Sequence, residues 1–234
     1  MNYSLTITEN FEPLLHKTRS TLAISIYQAG RVLLINTNED GQINITPITY
    51  PKPMGVIAHG EKLAIATKNE LHLYTSSSSL AARIKIKDKK LEHLYFPRIT
   101  YHTGDLDLHD LAYVNDKILA VNTRFSCLST FDDNFSFTPI WKPSFITENT
   151  PEDRCHLNGL CNKDGKVKYA SAVSQTNIRS GWREKNRKGL GVIVDVETNE
   201  IICDGLTMPH SPRWHDGKLW VLNAGCGEFG YVDF

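Results

Sequence analysis

Short apolar runs separated by two-residue turns recur along the chain at nearly constant spacing. The windows Met54–Thr67 and His109–Asn122 align without a gap, and Asn158–Ser171 and His210–Asn223 fit the same frame. Their starts are 55, 49 and 52 residues apart, a period near that of propeller blades. Each window reads as an apolar strand, a tight turn followed by Lys, and a second apolar strand. The turns are Gly60-Glu61, Asn115-Asp116, Asp164-Gly165 and Asp216-Gly217. Such pairs between apolar runs predict hairpins, because type I′ geometry needs positive φ at both central positions. Third strands are expected at Glu70–Tyr74, Ser126–Phe131, Gly191–Val196 and Gly230–Phe234, and fourth strands at Ala82–Ile86 and Glu200–Cys203. Thr21–Asn36 matches the second and third strands of an earlier blade, and Ile43–Thr49 its fourth. Helical periodicity is confined to Asn10–Lys17.

The pattern therefore predicts an all-β chain: a β-propeller of four-stranded blades, about five of them, forming one domain over 1–234. The blades fall at 20–50, 54–100, 109–148, 158–205 and 210–234. The first lacks an inner strand and the last an outer one. Either five blades close imperfectly, or the chain is a shortened form of a larger propeller. Its open edges then call for self-association or a partner chain. The lysine-rich stretch Lys85–Lys90 reads as an exposed outer strand protected against edge pairing.

Composition narrows the partners. Hydrophobic residues make up 41% of the chain and charged residues 22%, which suits a globular core. Twenty-six basic residues balance 26 acidic ones, so no net field draws the protein to nucleic acid or to a membrane surface. Met1–Arg19 carries Glu9 and Glu12 and does not read as a secretory signal. The expectation is a cytoplasmic protein with a small-molecule ligand. Five cysteines without CxxC spacing argue against a disulfide framework and against a zinc knuckle.

In a blade whose first strand lines the axis, the residue opening that strand sits at one mouth of the channel, beneath the loop joining the second and third strands. Met54, His109, Asn158 and His210 are expected there. Imidazole nitrogen with amide oxygen suits Zn²⁺, Mn²⁺ or Fe²⁺, so His109, Asn158 and His210, with His156 nearby, form a candidate metal set. Asp105 and Asp107 are candidates either as further ligands or as acceptors that fix the imidazole tautomer. The same histidines equally suit a hydrogen-bonded channel lining, and the pattern does not separate the two. Arg124, Arg154, Arg183 and Arg213 gather on this face and suit an anionic substrate, unless each pairs with a neighbouring acid such as Asp153 or Glu184. The candidate catalytic residues are Arg124, Asp153 and Glu228. The candidate substrate-binding residues are Tyr27, Gln28, Asn122, Arg154 and Arg213. Cys127 and Cys226 are candidate nucleophiles should a neighbour lower their pKa.

The strings Ser25–Arg31, Gly104–Asp110, Asn122–Cys127, Pro151–Gly159 and Met208–Gly217 resemble an uncharacterised bacterial family known only as a conserved domain of unknown function. The resemblance runs from about Phe11 to the end and implies no reaction. Its members are usually longer at the C-terminus. A weaker architectural likeness is to the gluconolactonase and senescence-marker propellers, carried by Asn158-Gly-Leu and the following Lys-Asp-Gly-Lys. It implies a divalent cation before the inner strands, although His109 and His210 stand where those enzymes favour oxygen ligands. Two functions follow as expectations. One is a metal-dependent hydrolase, lyase or isomerase acting on a small anionic molecule. The other is a non-catalytic or inactive propeller presenting Tyr27, Phe125 and Trp182 to a peptide or protein.

Overall fold

The computed structural model describes residues 6–86, 89–91, 93–184 and 188–234. The chain forms two compact units, Met1–Pro53 and Met54–Phe234.

The first unit carries helix α1 (Phe11–Thr18), where the helical period was expected, and the strands β1 (Leu22–Ile26), β2 (Arg31–Thr37) and β3 (Ile43–Thr49). They form one sheet in the order β1-β2-β3. Leu15 of the helix packs on Leu33 and Ile35 of β2, closing a small core.

The second unit holds four blade sheets. The first contains β4 (Val56–His59), β5 (Lys62–Ala66) and β6 (Glu70–Ser76), then the single helical turn α2 (Ser78–Ala81) and a two-stranded ribbon, β7 (Lys85–Ile86) with β8 (Lys89–Lys90). Its fourth strand is β9 (Tyr95–His102), which pairs with β6. Ala82–Ile86 therefore does not supply that strand, contrary to the sequence expectation. The eight-residue run Tyr95–His102 pairs along the whole of β6, and its Pro97 is tolerated because β9 is an edge strand. The reading of Lys85–Lys90 as an exposed outer strand falls partly on residues outside those described.

The next blade is β10 (Leu108–Val114), β11 (Lys117–Asn122), β12 (Cys127–Thr130) and β13 (Thr138–Trp141). It is followed by β14 (Leu157–Lys163), β15 (Lys166–Ala172), β16 (Gly191–Asp195) and β17 (Ile201–Leu206). The last has three strands, β18 (Pro209–His215), β19 (Lys218–Asn223) and β20 (Glu228–Val232). The first unit is thus one blade sheet of three strands, and among the described residues the second carries blade sheets of four, four, four and three strands, the β-propeller blade pattern that the apolar runs predicted. No described helix is long and apolar enough to cross a membrane.

The hairpins obey their residues. Asn115 and Asp116, Asp164 and Gly165, and Asp216 and Gly217 all take positive φ, as type I′ turns require. At Gly60-Glu61 only Gly60 does so, which fits glycine at the first central position of a type II′ turn.

Within the second unit the inner strands β4, β10, β14 and β18 neighbour one another in order. Gly55 N–H donates to Leu108 O across the first junction at 3.1 Å. Asn162 Nδ2 donates to Tyr113 O across the second at 3.1 Å, and Arg213 reaches Leu160 O across the third at 2.9 Å. The apolar cores lie between successive sheets: Leu71, Leu108 and Leu111 in one, Leu128, Leu157 and Val194 in the next, and Tyr169, Ile193 and Leu219 in the last. At Gly159 the backbone of β14 lies tight against β18. A methyl group there would stand 2.5 Å from Pro212 Cδ and 3.0 Å from Ser211 N. Gly159→Ala is expected to cost about 1–3 kcal/mol through overpacking, seen as a lower denaturation midpoint with an unchanged slope.

Candidate functional site

Three inner strands open with the same backbone device. Asp107, His156 and Met208, each the residue immediately before β10, β14 or β18, sit in the left-handed region with φ of 54°, 51° and 51°. A register shift follows within the first residues of each strand. Bulges of this kind re-aim side chains beside functional sites, and here they set His109, Asn158 and His210 in equivalent places, as the alignment predicted.

The two histidines are held alike. His109 Nδ1 lies 2.9 Å from the carbonyl oxygen of Asp107, and His210 Nδ1 lies 2.8 Å from that of Met208. A carbonyl only accepts, so each Nδ1 carries a proton and each Nε2 is left with its lone pair. Asn158 Nδ2 donates to the Nε2 lone pair of His210 at 3.1 Å. Thr123 Oγ1 donates to Leu157 O at 2.6 Å and accepts from His109 Nδ1 at 2.8 Å. The carbonyl of Asp107 thus sets the tautomer of His109; its carboxylate stands 3.9 Å away.

Beside them lies a buried acid–imidazole pair. The chain turns sharply at Asp153, at φ 47°, and Asp153 N–H donates to Arg124 O at 2.9 Å. His156 Nδ1 stands 3.0 and 3.1 Å from the two oxygens of the Asp153 carboxylate. Trp182 Nε1–H donates to Asp153 Oδ2 at 2.7 Å, and its ring stacks on His156 with centroids 3.8 Å apart. His109 meets His156 edge-on at 4.8 Å. Asp153, His156 and Trp182 are all buried. Trp182 is carried by the 3₁₀ turn Gly181–Arg183. Its indole also bears the Arg183 guanidinium at 4.1 Å, a cation–π contact.

Burial, and secondarily the neighbouring His156, lowers the pKa of His109 below its ordinary 6.5. Below about pH 6.5 the unfolded chain takes up a proton that the folded chain still refuses, so stability falls as pH drops toward the depressed folded value. His72 is shifted in the same direction by burial, so the comparison must be between variants. His109→Gln is expected to flatten the fall in melting temperature between about pH 7 and pH 5, measured by thermal denaturation.

The arginines are largely engaged with acids, though not the ones named from sequence. Arg154 bonds Glu152 and Glu148 at 2.8 Å each, together with Thr147 and Asn177. Arg213 forks onto Asp110 at 2.8 and 2.9 Å. Arg124 pairs with Asp105 at 2.9 Å. Asn122 is fully buried, accepting from Phe125 N–H and donating to Ser129 Oγ, and so shapes the turn between β11 and β12. Glu228 accepts from Asn223 Nδ2 at 2.6 Å. Tyr27 and Gln28 bond each other at 3.2 Å in the first unit. Cys127 is buried and its thiol is pushed up to about 11, which removes it as a nucleophile at neutral pH; Cys226 is exposed. Among the described residues, no group of three or more His, Cys, Asp or Glu side chains could hold a metal ion.

Sequence reasoning missed the roles of Thr123 and Trp182. Thr123 lies directly after β11 and carried no signal. Trp182 was visible only as a loop aromatic, and its partners lie 26 and 29 residues away.

Residues 9–234 match a family model described as "Domain of unknown function (DUF4915)". No curated protein matches the chain. Among solved structures, a glutaminyl cyclase from Myxococcus xanthus is similar at 14% identity and a TM-score of 0.44, over 86% of this chain and 84% of that one. The Pan2 WD40 domain of Neurospora crassa is similar at 11% identity and 0.41, over 88% and 58%. A protein from Lactobacillus plantarum is similar at 10% identity and 0.44, over 92% and 68%.

Proposed function

Because this chain belongs to the DUF4915 family, whose description assigns no activity, we propose from its own geometry that it is an enzyme of acid–base type acting on a small polar molecule. The observation carrying this reading is the buried Asp153–His156 pair with Trp182 upon it. A carboxylate bonded to Nδ1–H holds an imidazole in one tautomer and stabilises its protonated form, leaving Nε2 to take a proton from water or from a substrate O–H or C–H. That proton returns to the leaving group or to another carbon, as hydrolysis, elimination or isomerisation requires. His109, kept neutral at pH 7 by burial, adds a second imidazole whose Nε2 is a lone pair.

Acid–base chemistry is favoured over a resident metal by the donor set. The nitrogen that His210 would offer a cation already accepts from the Asn158 amide, and an amide N–H does not ligate. The expected anionic substrate has little support, since Arg124, Arg154 and Arg213 face carboxylates of the protein itself. The test is turnover of a panel of small lactones, esters, amides and hydroxy acids by chelator-treated protein. Turnover that survives chelation and is lost in His156→Gln supports the reading. Activity that needs added Zn²⁺, Mn²⁺ or Fe²⁺, or none that depends on His156, contradicts it.

A further inference from the structure

The residues directly after β11, β15 and β19 are Thr123, Val173 and Ala224. Register makes these places equivalent, since Leu108 pairs with Asn122, Leu157 with Ala172 and Pro209 with Asn223. Of the three, Thr123 alone brings a hydroxyl. It is fully buried. Its Oγ1 donates to Leu157 O at 2.6 Å and accepts from His109 Nδ1 at 2.8 Å. The same Nδ1–H faces Asp107 O at 2.9 Å, so the proton is shared between two acceptors in a three-centre bond. Leu157 follows His156 in the chain, and one hydroxyl thereby ties the His109 ring to the backbone that carries His156. The last blade supplies the contrast. His210 has the same Nδ1 bond to a carbonyl, that of Met208, but the place of Thr123 is taken there by Ala224. The blade therefore forms without a hydroxyl at this place. The hydroxyl stands where the imidazole meets a second one, His109 lying edge-on to His156 at 4.8 Å.

We propose that Thr123 is a positioning residue, whose hydroxyl holds the ring of His109 at a constant setting against His156. One acceptor, Asp107 O, decides which nitrogen carries the proton. A second acceptor, from a different strand, decides the direction of the ring, because hydrogen bonds weaken steeply with angle. The hydroxyl itself is well fixed: a β-branched side chain has few rotamers, and both bonds of Oγ1 select the same one. The backbone of Thr123 is held as well, its carbonyl accepting from Ser126 N–H at 3.2 Å. The use of this setting in chemistry rests on the acid–base reading above; the positioning of the ring does not.

Thr123→Val removes the hydroxyl at nearly constant volume, and Val173 shows that valine fits the equivalent place, where it is fully buried. Thr123→Ser keeps the hydroxyl and is the rescue. Nuclear magnetic resonance of the histidine rings in the full chain, with no ligand added, reads the position. Thr123→Val is expected to weaken the Overhauser contact between the His109 and His156 rings and to speed exchange of the His109 Nδ1 proton about tenfold. His109 keeps its Nδ1–H tautomer through Asp107 O, the His210 signals stay in place, and Thr123→Ser restores both lost properties. Loss of the bond to Leu157 O also lowers the melting temperature of Thr123→Val by roughly 2–6 °C. That drop with the ring signals unmoved is the mark of a merely structural residue and overturns the proposal, as does a serine that fails to restore them. For a panel compound whose turnover depends on His156, Thr123→Val is expected to lower kcat about tenfold with KM within about twofold, and Thr123→Ser to recover it. A displaced ring with unchanged kcat removes His109 from the chemistry and overturns its positioning role there. If no panel compound is turned over, the acid–base reading fails, while the ring signals still decide whether Thr123 positions His109.

Discussion

His156→Gln is expected to lower turnover by about 10²–10⁴-fold, the usual contribution of a positioned acid–base group. Glutamine offers no proton-accepting nitrogen where Nε2 stands, yet it fills a similar volume beneath Trp182. Asp153→Asn tests the same pair from the other side. The amide can no longer accept from both His156 Nδ1 and Trp182 Nε1 as the carboxylate does, so the imidazole is free to turn or to change tautomer. Its turnover should fall with that of His156→Gln, and the double variant should be scarcely worse than the poorer single one. Groups acting as one unit are strongly non-additive. Losses that multiply would mean that the two residues act separately.

The largest stability effect is expected at Asp110, the residue after His109, whose side chain is engaged in tying strands together. Its carboxylate is buried and accepts from Leu111 N–H and Leu160 N–H as well as from both arms of Arg213. One side chain of β10 thereby ties β14 and β18 to itself. Asp110→Ala strands the Leu160 N–H in the core, at a cost of about 1–3 kcal/mol, and releases Arg213. The guanidinium side chain is half exposed, so solvent recovers most of the lost charge interaction. A total of about 2–4 kcal/mol corresponds to roughly 4–16 °C in melting temperature for a unit of this size. Arg213→Gln, which leaves the buried carboxylate with its two backbone donors, should cost less than Asp110→Ala. The reverse order, measured by calorimetry, would place the anchor on the arginine.

The blades were legible because their signals are local. A turn such as Asp164-Gly165 between apolar runs needs no tertiary context, and the common frame of His109, Asn158 and His210 followed from counting residues between such turns. Blade two shows where counting stops: α2 and the β7–β8 ribbon separate β6 from its partner β9, and no periodicity announces an insertion. The candidate site was legible in its positions but less so in its bonds. Asp153 and His156 were each visible as titratable residues near an inner strand. Their pairing goes with left-handed turns at both residues, a conformation that aspartate and histidine adopt more readily than most residues but do not by themselves specify. The arginines show the opposite case, since residue type suggested an anion site while long-range partners such as Asp110 decide what they do. Trp182 was unreadable because its role is set entirely by what stacks against it.

On the proposed reading His156 takes the Nδ1–H tautomer, held by Asp153, beside a His109 of the same tautomer. Long-range proton–nitrogen correlation spectra of the histidine rings at pH 7.5 test it most directly. Nδ1–H tautomers are expected for both residues, with the His156 Nδ1 proton slow to exchange and lost in Asp153→Asn. A protonated Nε2 on His156, or a rapidly averaging ring indifferent to that substitution, would contradict it.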